Sequence, residues 1–229
     1  MGHYRRRSKP AQAKGIPGMK HGRSRGLYAI TPQRYPDREG LLRDCAAALS
    51  GGACRLQFRD KSDDGRWRLQ TARELLGLCR EFSVPFIIND DIGLAGQIEA
   101  DGVHLGRDDA EVAAARAVLG ERAQIGVSCY NRLDRGAEAL RQGAGYLAFG
   151  SMFASGSKPQ AVHCPLDTLR QARSFGLPLV AIGGITAENG ASVIAAGADF
   201  LAVIGAVFEA PDVQAAAERL SGLWPQDER

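Results

Sequence analysis

The chain has 229 residues, 45% of them hydrophobic and 24% charged, a balance that excludes a disordered or fibrous protein. No stretch approaches the roughly 18 uninterrupted apolar residues of a membrane-spanning helix, and Arg5, Arg6 and Arg7 are not followed by the apolar segment of a secretion signal. The net charge of +3 is unevenly placed: residues 1–26 carry eight Lys or Arg and no acid, which leaves 21 basic against 26 acidic residues beyond them.

Residues 1–26 offer little to bury, so a disordered basic extension is expected there. A basic tail without aromatic interleaving does not predict a nucleic-acid partner. From Leu27 onward, short β-branched or aromatic runs alternate with longer stretches of helical period. The predicted strands are Leu27–Thr31, Ala53–Arg59, Pro85–Asn89, Gly102–Leu105, Gln124–Ser128, Tyr146–Gly150, Leu179–Gly183 and Phe200–Ile204. Helices are predicted near 38–49, 64–82, 91–98, 109–119, 132–142, 165–175, 187–196 and 211–222, most opening on a capping residue and closing on a glycine. Eight strands in strict alternation with eight helices fit a single (β/α)8 TIM barrel over 27–224, with 225–229 as a C-terminal tail. An open doubly wound sheet has the same local signature, but Ile30-Thr31-Pro32 stands where such a sheet usually carries G-x-G-x-x-G.

In a barrel of this kind the reactive residues belong at the C-terminal strand ends. Alternation on the second strand puts Gln57, Arg59 and, if the extension continues, Lys61 on one face, with Leu56 and Phe58 on the other. Two cations and an amide at the mouth would hold phosphates; a solvated strand end with an ion pair to Asp60 or Asp63 is the plainer alternative. The third strand ends in Asn89-Asp90-Asp91 and the fourth leads to Asp109, so Asp90 and Asp109 are either helix caps or two carboxylates for Mg²⁺. His104 points inward if its neighbours face the helices, and is read as a packing residue without a role. Ser128 closes the fifth strand with a hydroxyl that could meet a phosphate. The sixth leads into Ser155-Gly156-Ser157-Lys158, a small-residue loop ending in a cation. Gly183-Gly184 and Ile204-Gly205 follow the last two strands, where glycine lets backbone N–H groups approach a phosphate.

The order and spacing of Leu27-Tyr28 with Ile30-Thr31, Gln57-Phe58-Arg59-Asp60-Lys61, Ile88-Asn89-Asp90, Ala100 to Gly106, Gly126-Val127-Ser128, Phe149-Gly150 through Lys158, and Ala181 to Ile185 resemble thiamine phosphate synthase, and the likeness covers nearly all of 27–222. The resemblance implies a (β/α)8 enzyme that joins an aminopyrimidine methyl diphosphate to a thiazole phosphate with Mg²⁺, releasing pyrophosphate. It implies that Gln57, Arg59, Lys61 and Asn89 bind the pyrimidine diphosphate, with Ser128 and Lys158 beside its phosphates. Asp90 and Asp109 would hold Mg²⁺. Ser155, Gly156, Ser157, Gly184, Ile204 and Gly205 would seat the thiazole phosphate. Arg59, Lys61, Ser128 and Lys158 would carry the catalytic charge stabilisation. Gly205 departs from the family, which usually has a Ser there.

Two further readings stay open on the sequence: a thiazole tautomerase on the same barrel, and a non-catalytic sensor of phosphate ligands. Small-molecule substrates are the expected partners, and the sequence leaves a homo-oligomer open. Five cysteines, an odd number without C-x-x-C or zinc-ligand spacing, are expected to be reduced thiols of a cytoplasmic protein.

Overall fold

In the computed structural model, residues 24–106, 112–154 and 162–225 are described. Eight parallel strands close into a barrel in sequence order: β1 (Gly26–Ile30), β2 (Arg55–Phe58), β3 (Phe86–Asn89), β4 (Gly102–Leu105), β5 (Gln124–Tyr130), β6 (Tyr146–Gly150), β7 (Leu179–Ile182) and β8 (Phe200–Val203). The crossovers are α1 (Arg38–Ser50), α2 (Gly65–Glu81), α3 (Ile92–Ile98), α4 (Val112–Leu119), α5 (Leu133–Arg141), α6 (Leu166–Ala172) and α7 (Gly190–Ala195). A four-residue α8 (Gly205–Phe208) and then α9 (Val213–Ser221) complete the ring. No helix among the described residues is long and apolar enough to cross a membrane.

Period-2 alternation sorts the strand side chains into two cores. Leu27, Ala29, Leu56, Phe58, Phe86, Ile88, Val103, Leu105, Leu147, Phe149, Leu201 and Val203 face the helices. Tyr28, Ile30, Ile87, Tyr146, Ala148, Val180, Phe200 and Ala202 fill the interior. Removing each large apolar side chain from water stabilises the fold by about 1.5–3 kcal/mol. The crossovers begin where short acids meet free N–H groups: Asp37, Asp64, Asp91 and Asp212 accept from Gly40, Trp67, Leu94 and Ala215. Asp91 is thereby a helix cap.

Most strand bounds shift by one or two residues from the sequence reading, and three of the shifts have a visible cause or consequence. The first strand starts at Gly26, since the Gly26 N–H donates to the Asp199 carbonyl (3.0 Å) and the Arg25 guanidinium meets the Asp199 carboxylate (3.2 Å). The fifth strand runs on to Tyr130 through a register shift between Ser128 and Tyr130. The second stops at Phe58, so Arg59 and Lys61 lie in the loop beyond it.

Gly126 shows how tightly the interior is built. A Cβ there would lie 2.0 Å from Cζ of the Tyr146 ring, which crosses the barrel from the neighbouring strand. Gly126→Ala is therefore expected to cost at least about 2 kcal/mol in chemical denaturation by forcing that ring aside. Unchanged stability would mean that Tyr146 has a second place to go.

Candidate active site

The C-terminal ends of β1 to β3 assemble a charged rim. The Thr31 N–H donates to the Gln57 carbonyl (2.9 Å) and the Thr31 hydroxyl accepts from the Arg59 N–H (2.9 Å), so a fully buried Thr fixes where the second loop leaves its strand. The Arg59 guanidinium reaches Gln33 Oε1 at 3.3 Å and, among the described residues, pairs with no carboxylate. The Lys61 ammonium stands 3.3 Å from an Asp90 carboxylate oxygen. This pair replaces the ion pair to Asp60 or Asp63 considered from the sequence. Asp60 instead turns away, accepting from the Ser62 N–H (2.7 Å) and from the Trp67 indole on α2 (3.0 Å).

Asp90 sits in the left-handed region, φ 63°, held by its N–H donating to the His104 carbonyl (2.8 Å). Asp tolerates that conformation better than most residues. The turn brings its carboxylate to the Lys61 side of the mouth, while the neighbouring Asp91 carboxylate pairs with Arg68 (2.7 Å) and caps α3. Asn89, half-buried, ends β3 directly below.

Beneath the rim, polar side chains cross the interior in one line. Gln57 Nε2 donates to the Tyr28 hydroxyl (2.9 Å), which meets the Tyr146 hydroxyl (3.0 Å). Tyr146 meets His104 Nδ1 (3.1 Å), and His104 Nε2 meets the Ser128 hydroxyl (2.9 Å). Gln57 is 2% exposed, so it points inward as alternation requires. Burial raises the pKa of both Tyr28 and Tyr146, so each keeps its proton at neutral pH. The Arg55 guanidinium, 2% exposed, stacks on the Phe200 ring (4.0 Å to the centroid) and on that of Tyr146 (5.3 Å).

His104 is thus satisfied, but its partner on one side is a candidate phosphate ligand, a role that its reading as packing overlooked. Tyr28 and Thr31, part of the family likeness, had been given no role, and Tyr146 was missed. For His104 the signal was present, since alternation on the fourth strand already turned it inward.

The glycine pair after β7 has an additional cause. Gly183 and Gly184 both have positive φ, and their missing Cβ atoms would strike Ser151 Oγ (2.2 Å) and the Ala154 carbonyl (2.3 Å). The sixth loop docks on them through Met152 N–H to Ile182 and Phe153 N–H to Gly183 carbonyls, each at 3.0 Å. Gly205 opens α8, a single turn whose Val207 and Phe208 N–H groups donate to the Ile204 carbonyl (3.2 and 3.0 Å). A Cβ on Gly205 would meet the exposed Glu209 carboxylate at about 3.0 Å, a flexible neighbour that could move aside. Asp109, Ser155, Gly156, Ser157 and Lys158 lie outside the described residues.

All five cysteines are buried. Burial pushes the Cys129 thiol up to about 12 and raises Cys164, so neither offers a thiolate nucleophile at neutral pH. The rim therefore has the makings of an anion site with an acid beside it, rather than of a covalent catalyst.

The sequence profile of the family described as thiamine monophosphate synthase matches residues 27–207. The chain belongs to the thiamine monophosphate synthase family. A thiamine-phosphate synthase of Chromobacterium violaceum is 52% identical over 202 residues, covering 88% of this chain and 97% of that relative. One from Thiobacillus denitrificans is 51% identical over 200 residues, covering 87% and 94%. The solved structure of a thiamine phosphate pyrophosphorylase from Pyrococcus furiosus superposes with a TM-score of 0.78 at 34% identity, over 87% of this chain and 95% of that one. The match to the family begins at β1 and ends inside α8, so it spans the whole barrel, including every strand end that builds the rim.

Proposed function

We propose that the chain is a thiamine phosphate synthase that joins 4-amino-2-methyl-5-(diphosphooxymethyl)pyrimidine to a thiazole phosphate, yielding thiamine phosphate and pyrophosphate. The observation that carries this reading is the rim itself: Arg59 without a carboxylate partner among the described residues, and Lys61 paired with Asp90 at 3.3 Å, above an inward Gln57 and Ser128.

The bond from the exocyclic methylene carbon to the diphosphate oxygen breaks, and its electron pair leaves with pyrophosphate. The electron-rich aminopyrimidine holds the positive charge on that carbon until the thiazole nitrogen donates the pair that forms the new C–N bond. No side-chain nucleophile is needed. The protein contributes charge opposite the leaving group and alignment of the two rings. Arg59, Lys61 and Lys158 neutralise the departing diphosphate, and Ser128 and Asn89 complete its hydrogen bonding. The thiazole phosphate rests on Ser155, Gly156, Ser157, Gly184 and the backbone of Ile204 and Gly205, keeping its ring nitrogen in line.

Among the described residues no three His, Cys, Asp or Glu cluster as metal ligands. Mg²⁺ does not need such a cage: it is usually held by one or two carboxylates, with water and substrate phosphate supplying the remaining oxygens. Asp90, with 28% of its side chain exposed at the mouth, suits that coordination, and Asp109 is the second carboxylate of the proposed pair. Bound there, Mg²⁺ would neutralise charge on the leaving pyrophosphate. Lys61 now occupies one Asp90 oxygen, and a diphosphate entering the rim offers its ammonium a better partner.

Purified protein supplied with both substrates is expected to form thiamine phosphate and pyrophosphate with Mg²⁺, and to stop when the metal is chelated. Absence of product with Mg²⁺ would reject the assignment. Full activity in excess chelator would reject the metal and leave the reaction.

A further inference from the structure

Five strands each contribute one side chain to the line Gln57–Tyr28–Tyr146–His104–Ser128, whose successive heavy-atom distances are 2.9, 3.0, 3.1 and 2.9 Å. A hydroxyl has one hydrogen, and a neutral imidazole donates from one nitrogen and accepts at the other. Tyr28 and Tyr146 are each 1% exposed, and with both of their hydrogens spent within the line it has two self-consistent directions. In one, the Gln57 amide donates to Tyr28, Tyr28 to Tyr146, Tyr146 to His104 Nδ1, and His104 Nε2–H to Ser128. The Ser128 hydrogen is then directed away from the line, and Gln57 keeps its carbonyl oxygen and its second N–H for another partner. In the other, every hydrogen is reversed: Ser128 gives its proton to His104 and presents lone pairs, while Gln57 accepts from Tyr28 and presents N–H. Heavy-atom positions are the same in both.

Resting on the function proposed above, we infer that this line couples the two ends of the pyrimidine substrate, making His104, Tyr146 and Tyr28 positioning residues for ring specificity. A phosphate oxygen beside Ser128 requires a donor. That selects the first direction, and the first direction leaves Gln57 with an acceptor. The 4-amino ring presents an N–H to this acceptor and a ring-nitrogen lone pair to the second Gln57 N–H, whereas a 4-oxo ring presents C=O and N–H in the reverse order, so both contacts face the wrong group. To accept a ring carbonyl, Gln57 would have to turn its amide, reverse all four hydrogen bonds and withdraw the Ser128 hydrogen from the phosphate. Discrimination between amino and oxo rings is thus set partly by residues that do not touch the ring.

Tyr146→Phe removes the central hydroxyl and separates the Gln57 end from the Ser128 end. The measurement is the dissociation constant of the 4-amino pyrimidine diphosphate and of its 4-oxo analogue, with Mg²⁺ and without the thiazole phosphate. The native protein is expected to prefer the amino ring by at least about tenfold. In Tyr146→Phe that ratio is expected to shrink by about fivefold, the scale of one net hydrogen bond, because Gln57 can turn without disturbing Ser128. Tyr28→Phe cuts the adjacent link and should give the same narrowing, which covers the case in which Tyr146→Phe does not fold. A ratio unchanged in a variant whose unfolding midpoint shows it folded would overturn the coupling. Native protein that makes no thiamine phosphate would remove the proposed function and the coupling with it, whereas active native protein with an unaltered ratio in the variants removes the coupling alone.

Discussion

Arg59→Ala is expected to lower kcat/KM by at least about 10²-fold, equivalent to about 2.7 kcal/mol of lost transition-state stabilisation, with little change in the unfolding midpoint. The two effects separate because of how the residue is held. Its backbone N–H is fixed by the Thr31 hydroxyl, a bond that survives loss of the side chain. Among the described residues, the guanidinium itself hydrogen-bonds Gln33 Oε1 at 3.3 Å and pairs with no carboxylate. The charge is thus poorly used by the folded protein and available to a diphosphate. Arg59→Lys keeps the charge but loses the planar fork that meets two phosphate oxygens at once, and should recover only part of the loss. Steady-state kinetics in both substrates decide the matter. An Ala variant with native kinetics would put the leaving group's cation elsewhere.

Asp90→Asn should have the second large effect, a fall in turnover of at least about 10²-fold at limiting Mg²⁺ and a Mg²⁺ titration displaced to higher concentration. Asn is the suitable replacement because, like Asp, it accepts the left-handed backbone at this position, φ 63°. Stability should barely move, since the Lys61–Asp90 pair at 3.3 Å is half open to solvent on the Lys61 side, and exposed pairs contribute about 0–1 kcal/mol. A Mg²⁺ titration identical to that of the native chain would remove Asp90 from the metal site.

The barrel was readable because its two cores are written on alternate residues. In Arg55-Leu56-Gln57-Phe58 the polar side chains point inward and the apolar ones pack under helices, a period that survives without any structure. Helix starts were readable because short acids such as Asp64 and Asp91 cap them locally. What escaped depends on residues far apart in the chain. Lys61 and Asp90 lie in consecutive strand-end loops, but only the left-handed turn at Asp90 aims the carboxylate at the ammonium. Tyr28 and Tyr146 are 118 positions apart and join only when the cylinder closes. Tyr130 extends its strand past a register shift that no local propensity announces. The glycine pair after β7 was read for phosphate approach, whereas its positive φ angles and the sixth-loop backbone beside it already require glycine.

The stacking of Arg55 between Phe200 and Tyr146, with all three side chains at 2% exposure or less, makes the cylinder a blind alley. Solutes cannot pass through that base, so the ligands of the proposed reaction enter and leave at the rim. For the function proposed above, a ring seated on Gln57 is expected to enter before, and leave after, whatever settles over it. A sealed base is enough to order that traffic.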